Sequence, residues 1–80
     1  MKLNLLLFGI VTDLLQTSSL EIEVNDNCTV QQLKKQLLAQ YSVLENINLY
    51  AIAVNEEYAS DNIFLTHNDV IAIIPPVSGG

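Results

Sequence analysis

The sequence predicts an α+β domain in which one long helix packs across one face of a mixed β-sheet. Residues 70–74 are wholly apolar, and residues 2–8 are apolar apart from Lys2 and Asn4, which is typical of strands in the middle of a sheet. Between them, residues 20–24 alternate apolar and polar side chains, and residues 30–41 place apolar side chains three and four positions apart. A chain of 80 residues is enough for one domain with one modest core.

Asn4 aside, the second half of the first strand is apolar on both of its faces. Leu3, Leu5 and Leu7 share one face, while Leu6 and Phe8 share the other. A strand of this kind lies between neighbouring strands or keeps one face for a partner.

The elements that follow are shorter. Val11, Leu14 and Leu15 recur at helical spacing after Gly9 and predict a short helical turn. The alternation over residues 20–24 then predicts a half-buried second strand.

The main helix begins at a recognisable start signal. Thr29 and Gln32 have the spacing of a capping box, in which each residue satisfies the backbone of the other. The predicted inward face of this helix comprises Val30, Leu33, Leu37, Leu38 and Tyr41.

The second half of the chain contains further strands. We expect a strand over residues 50–54, a hairpin turn at 55–57 into residues 58–60, and a turn at 65–69 with Asn68 in the left-handed region. In the last strand, Ile71 and Ile73 share one face and the remaining three residues share the other. Central first and last strands beside one helix predict a ubiquitin-like β-grasp domain over residues 1–74, followed by an extended flexible tail over residues 75–80.

The charge balance limits the possible partners. Three lysines and no arginine stand against nine acidic residues, for a net charge of −6. Nucleic acid and anionic membranes are therefore not expected as partners, because both are bound through Lys and Arg. The acidity fits a partner with a basic surface, or it serves solubility alone. Cys28 is the only cysteine, so no intrachain disulfide forms and a reducing, cytoplasmic setting is expected.

Conventional catalytic sets are missing from the sequence. His67 and Cys28 are the only histidine and thiol, and they fall in separate turns. We expect a solvated turn residue at His67 and a small residue beside a helix start at Cys28, although a helix N-terminus can lower a thiol pKa. The sequence holds no metal-ligand cluster, phosphate loop or nucleophile elbow, so no metal and no cofactor are expected on this chain.

The chemistry is expected instead at the C-terminal tail, Pro75-Pro76-Val77-Ser78-Gly79-Gly80. Proline donates no backbone hydrogen bond, so Pro75 and Pro76 end the sheet and hold the chain extended. Gly79 and Gly80 lack side chains and can enter a channel that a Cβ would block. The carboxylate of Gly80 becomes reactive once a partner adenylates it. The alternative is an ordinary frayed terminus.

A second functional feature is the sheet face that points away from the helix. Leu6, Phe8, Ala72 and Ile74 are predicted on this face, and Tyr58 extends it. An uncovered apolar surface of this kind usually binds another protein. The alternative is that the connection over residues 10–19 folds across it.

These segments together resemble the molybdopterin synthase small subunits, the MoaD-type sulfur carriers, over nearly the whole chain. The matching residues are Leu5–Phe8 leading into Val11-Thr12-Asp13-Leu14, Thr29-Val30, Ala53-Val54-Asn55, Leu65-Thr66, Asp69, Ala72 and, as the specific signal, the last six residues.

The resemblance implies that the chain is a subunit without catalysis of its own. Gly80 is then adenylated by an ATP-Mg-dependent adenylyltransferase related to ubiquitin-activating enzymes and converted to a thiocarboxylate. The large subunit of molybdopterin synthase receives the tail within a heterotetramer, and sulfur passes to a pyranopterin precursor in molybdenum cofactor synthesis. The resemblance places the partner contacts at Leu6, Phe8, Tyr58 and Ile74, and along Pro75, Pro76, Val77 and Ser78.

Some residues depart from the family pattern. Thr12 stands where many members carry Arg, Gln16 replaces a frequent Gly, His67-Asn68 replace a frequent Asp-Gly, and Ile73-Ile74 stand where aromatics are common. The open alternatives are a carrier for thiamin or tRNA thiolation, a ubiquitin-like protein modifier, and an interaction module with an unreactive tail.

Overall fold

The structure is a computed structural model that describes residues 1–76. Within them, one mixed five-stranded sheet is crossed on one face by one main helix, as the sequence predicts. The elements are β1 (Lys2–Leu7), α1 (Ile10–Leu15), β2 (Ser19–Glu23), α2 (Val30–Gln40), two short 3-10 turns (Ser42–Leu44 and Ile47–Leu49), β3 (Ala51–Val54), β4 (Glu57–Tyr58) and β5 (Val70–Ile74).

The strand order across the sheet is β2-β1-β5-β3-β4. The first and last strands lie side by side in the interior of the sheet and run parallel, with Leu5 opposite Ile71 and Leu7 opposite Ile73. The other neighbouring pairs are antiparallel. The central placement of β1 and β5 confirms what their two apolar faces predict.

The core lies between the sheet and α2. Leu3, Leu5, Ile71 and Ile73 project from β1 and β5 and are fully buried. They belong to one cluster with the buried residues of α2, which are Val30, Leu33 and Leu37.

The start of α2 forms the predicted capping box. The Thr29 hydroxyl accepts a hydrogen bond from the Gln32 amide at 3.2 Å, and the Gln32 side-chain oxygen accepts one from the Thr29 amide at 3.0 Å. The predicted inward face is wrong at Leu38, which is exposed. Leu38 follows Leu37 by one position, about 100° around the helix, and so leaves the buried stripe.

Several boundaries and one segment differ from the prediction. β2 spans Ser19–Glu23, one residue earlier than predicted, and α2 ends at Gln40. β1 ends at Leu7 and β3 begins at Ala51, so Phe8 and Tyr50 lie just outside the strands. The connection between α2 and β3, unassigned in the sequence analysis, supplies two core residues from its 3-10 turns, Leu44 and Ile47.

The β3–β4 hairpin turn is shorter than predicted. Asn55 and Glu56 both have positive φ, 51° and 73°, and Glu57 already belongs to β4. Positive φ at both central residues is the type I′ geometry that matches the twist of the flanking strands. Asn68 also has a positive φ, 70°, as predicted for the turn before β5.

Within residues 1–76, no helix has the length and apolar character needed to cross a membrane.

Candidate partner-binding face

One row of residues crosses all five strands on the sheet face opposite α2. Leu6 of β1 lies opposite Ser19 on one side and Ala72 on the other, Ala72 lies opposite Ala53, and Ala53 lies opposite Tyr58. Directly opposed residues of neighbouring strands share a face. Leu6, Ala72 and Tyr58 therefore lie on one face, as the sequence predicts. Ala53 is an additional member because it joins Ala72 to Tyr58.

This face is open over its apolar part. The exposed fractions are 38% for Leu6, 47% for Phe8 and 79% for Tyr58, while Ala72 and Ile74 are half-buried. Exposed apolar side chains gathered on one face are typical of a protein-binding surface.

The connection over residues 10–19 leaves this face uncovered. The Thr12 hydroxyl donates a hydrogen bond to the Leu7 carbonyl at 3.0 Å, and the Leu7 amide donates one to the Ser18 carbonyl at 2.9 Å. Val11 is buried in the core. These contacts hold α1 at the end of β1 and return the chain directly to β2, so the alternative of a covered face is wrong.

The apolar face continues into a groove where the tail begins. β5 ends at Ile74, and Pro75 and Pro76 follow it. The groove has a volume of about 540 Å³. It is lined by Phe8, Gly9, Ile10, Tyr50, Ile74, Pro75 and Pro76.

Ile10 and Tyr50 line this groove, although the sequence did not predict either of them there. Ala51 pairs with Ile74 in the β3–β5 register, so Tyr50 lies next to the start of the tail. The signal is a tyrosine at the predicted start of β3, but it becomes informative only once the pairing of β3 with β5 is known. The remaining predicted site residues, Val77, Ser78, Gly79 and Gly80, lie outside the described residues.

Cys28 lies in the core and not on the open face. Its side chain is buried, its Sγ lies 3.4 Å from the Thr29 carbonyl, and burial raises the pKa of the thiol. The helix start therefore does not produce a reactive thiolate at Cys28, because desolvation disfavours the charged form.

His67 has a local structural contact. Its Nδ1 accepts a hydrogen bond from the Lys2 amide at 3.0 Å, which ties the turn before β5 to the start of β1. Among residues 1–76, no group of three or more His, Cys, Asp or Glu side chains is placed to hold a metal ion.

Asp69 fixes the hairpin turn to the turn before β5. Its carboxylate accepts hydrogen bonds from the Thr66 amide and hydroxyl, both at 2.8 Å, and from the Asn55 side-chain amide at 2.9 Å. The Asn55 side-chain oxygen in turn accepts a hydrogen bond from the Val70 amide at 3.0 Å. Burial alone would raise the pKa of Asp69, but the hydrogen bonds from Thr66 and Asn55 outweigh it and lower the pKa.

A mixed sheet with parallel central strands, one main helix and one open apolar face defines a ubiquitin-like β-grasp domain. Several solved structures share this fold. SAMP1 from Haloferax volcanii superposes with a TM-score of 0.88 at 21% identity over the whole of both chains. The ubiquitin of Caldiarchaeum subterraneum gives a TM-score of 0.65 at 19% identity, over 100% of this chain and 98% of that one.

The chain belongs to the ThiS family, whose sequence profile matches residues 5–80. It is 32% identical to the molybdopterin synthase sulfur carrier subunit of Arabidopsis thaliana, over 99% of this chain and 83% of the relative. It is 36% identical to the subunit of the same name from Dictyostelium discoideum, over 99% of this chain and 96% of the relative. These relatives confirm the resemblance to the molybdopterin synthase small subunits.

A solved protein–protein complex also contains a similar chain. This is the complex of subunits 1 and 2 of the molybdopterin-converting factor from Helicobacter pylori. The matching chain superposes with a TM-score of 0.71 at 28% identity, over the whole of both chains.

Proposed function

We propose that this chain is the sulfur carrier subunit of a molybdopterin synthase and that the carboxylate of Gly80 carries the sulfur. The observation that supports this most strongly is the open apolar face that runs from Leu6 and Phe8 to Pro75, at the base of the tail. A partner that covers this face receives the tail at the same time, because the face and the tail meet at Ile74.

The chemistry requires that one carboxylate is first activated and then converted to a thiocarboxylate. In water a carboxylate is a poor electrophile, so an adenylyltransferase of the ubiquitin-activating type uses ATP-Mg to convert it to an acyl-adenylate. A sulfur donor then forms the new C–S bond as AMP leaves, giving the thiocarboxylate. The tail enters the active site of the large subunit in the cytoplasm and donates this sulfur to the pyranopterin precursor. Gly79 and Gly80 suit both active sites, since neither carries a Cβ that would obstruct a narrow channel.

The docking surface comprises two parts with different tasks. Phe8 and Ile74 supply apolar area, and each contributes about 1.5–3 kcal/mol where its burial by the partner is complete. Pro75 and Pro76 lead away from β5 with fixed φ angles and no amide donors, which limits the conformational entropy lost when the tail is bound. Val77 and Ser78 are included in the proposed contact because they stand between Pro76 and Gly79 in the sequence.

The large subunit is the proposed partner because the Helicobacter complex joins a similar chain to subunit 2 of its converting factor. We extend the proposal to a heterotetramer with two large subunits in the middle and one carrier at each end. The adenylyltransferase binds the same face before the large subunit does, since it too must reach the tail.

A reconstitution tests the carrier role. The chain is incubated with the activating enzyme, ATP-Mg and a sulfur donor, and then with the large subunit and the precursor. Intact-mass spectrometry is expected to record the exchange of one oxygen for sulfur, and dithiolene product is expected to follow. Deletion of Gly80, or addition of one residue after it, should abolish both signals, whereas Lys35→Gln on α2 should change neither. A fully active extended variant contradicts the proposal, and attachment of the chain to lysines of other proteins identifies a modifier instead.

A second experiment tests the face. Phe8→Asp is expected to weaken binding of the large subunit by at least about 2 kcal/mol, because a buried unpaired carboxylate is costly. Val43→Asp is the matched control, since Val43 is exposed to a similar extent, 51%, but lies in the connection that packs against α2. Equal affinities of the two variants, measured by titration calorimetry, remove Phe8 from the interface.

A further inference from the structure

Two shallow depressions flank Leu6 on the sheet face, and a glutamate borders each of them. On the β2 side, Leu6 shares a depression with Asn4, Ser19 and Glu21. On the side of the β3–β4 hairpin, Leu6 shares another with Val70, Asn55 and Glu56. Glu21 and Glu56 are both exposed.

The register places these two carboxylates on either side of the exposed apolar row. Glu21 lies opposite Asn4 in the β1–β2 pairing, and Asn4 lies opposite Val70 in the β1–β5 pairing. Glu21 therefore shares the face of Leu6, since residues two apart along a strand point the same way. Glu56 reaches the same face from the hairpin turn, beside Val70.

The lysines lie away from these depressions. Lys2 shares the face of Leu6, but it lies beyond Asn4 at the start of β1, where it is opposite Glu23. Lys34 on α2 forms an ion pair with Asp61 at 2.8 Å. Lys35 also lies on α2, across the core. Within the described part of the chain, no lysine lines either depression, so the border of the apolar face is negative on both sides of Leu6.

We propose that each depression receives a lysine or arginine side chain of the partner that covers this face. The aliphatic stem of one basic side chain lies against Leu6 and Val70, and its charged end meets the Glu56 carboxylate. A second basic side chain crosses the other flank of Leu6 and meets Glu21. Long basic side chains suit such sites because their stems are apolar while their ends stay charged and partly hydrated.

The inference rests on the proposed function, in which the partner is the large subunit of molybdopterin synthase. It assigns to that partner an apolar centre bordered by two basic side chains, whose spacing matches the two flanks of Leu6. Charges at the border of an interface act mainly on the association rate and on its dependence on salt. Leu6 and Phe8 then supply the apolar contact, while Glu21 and Glu56 orient the encounter.

The experiment compares single Glu→Lys substitutions, which all change the net charge by the same amount but lie at different places on the surface. Glu21→Lys and Glu56→Lys are the test variants. Glu45→Lys is the control, because Glu45 lies in the connection that packs against α2. Association and dissociation rates with the large subunit are measured by surface plasmon resonance at low and at high salt, after circular dichroism has confirmed that each variant is folded.

We expect each test variant to associate roughly tenfold more slowly than Glu45→Lys at low salt, with the difference shrinking as salt screens the charges. Glu21→Gln and Glu56→Gln should give intermediate rates, because they remove the charge without reversing it. If wild type binds and both reversals associate like Glu45→Lys, the two basic contacts are refuted and the carrier function stands. If wild type fails to bind the large subunit, both the contacts and the proposed function are overturned.

Discussion

Gly9 lies against Pro75 so closely that a Cβ at position 9 would be 3.1 Å from Cγ of the proline ring. The two residues occupy equivalent positions after paired parallel strands, since Leu7 lies opposite Ile73. Gly9 has a φ of 56° and a ψ of −133°, a region that is essentially restricted to glycine. The turn that follows β1 therefore sets the position of the first residue of the tail.

Gly9→Ala is expected to lower the free energy of unfolding by about 1–3 kcal/mol, because the added Cβ meets both an unfavourable backbone conformation and Pro75. The shift of Pro75 should also slow sulfur transfer at temperatures where the variant is folded. Urea unfolding and the reconstituted transfer assay measure the two effects separately. A variant with wild-type stability would show that the turn relaxes without cost.

Gln16→Gly should have the opposite effect on stability. Gln16 ends α1 in the left-handed region, with a φ of 57° and a ψ of 35°. Glycine removes the cost of this conformation but adds entropy to the unfolded chain, so we expect a net gain of about 0.5–1 kcal/mol. The gain should appear as a higher urea midpoint with an unchanged slope. Gln16→Ala, which keeps a Cβ, should show no gain and is the control.

Most of the fold follows from local patterns in the sequence. The apolar faces of β1 and β5 predict their central positions, and Thr29 with Gln32 predicts the start of α2, because each signal depends on neighbouring residues only. The sequence did not predict the 3-10 turns, one of which places Leu44 in the core. Their apolar residues follow no sustained period, and only the sheet and α2 define the cavity that Leu44 fills.

Part of the site was also predictable from local patterns. Successive side chains of a strand point to opposite faces, so Leu6 faces outward once Leu5 and Leu7 are placed toward α2. Tyr50 was not predicted in the groove, nor the buried Ala53 in the cross-strand row, because their positions depend on the register between β3 and β5. No short stretch of sequence encodes a register between strands that are distant along the chain.

Thr12 illustrates how the structure refines a departure from the family pattern. Thr12 stands where many members of the family carry Arg. In the structure, the Thr12 hydroxyl donates a hydrogen bond to the Leu7 carbonyl at 3.0 Å. This bond holds α1 at the end of β1.

Asp69→Asn is expected to destabilise the domain by about 2 kcal/mol at neutral pH. The carboxylate accepts hydrogen bonds from the Thr66 amide, the Thr66 hydroxyl and the Asn55 side chain. In Asp69→Asn, the side-chain NH₂ group would face at least one of these hydrogen-bond donors, and that hydrogen bond would be lost. Asp13→Asn on α1 is the control. It removes an exposed carboxylate at the surface, and it should cost less than about 1 kcal/mol.

Asp69→Asn should also change how the free energy of unfolding depends on pH. The folded-state pKa of Asp69 is lowered, so the unfolded chain takes up a proton first as the pH falls. The stability contributed by Asp69 is complete above its unfolded pKa of about 4 and is lost as the pH falls through the lower folded pKa. The difference in the free energy of unfolding between wild type and Asp69→Asn should therefore become smaller in this acidic range. Urea unfolding at a series of pH values measures it. A constant difference would assign the effect to packing instead.

Cys28→Ala distinguishes a carrier that holds sulfur on its C-terminus from one that holds it on a thiol. The Cys28 side chain is buried and its pKa is raised by that burial, so the thiol is protonated and shielded at neutral pH. We expect Cys28→Ala to keep wild-type sulfur transfer, with only a small loss of stability, about 1 kcal/mol, from the missing sulfur atom. In the folded wild type, iodoacetamide should modify Cys28 slowly, and denaturation should make the reaction fast. Loss of sulfur transfer in a folded Cys28→Ala variant would show that the Cys28 thiol, and not the C-terminal carboxylate, carries the sulfur.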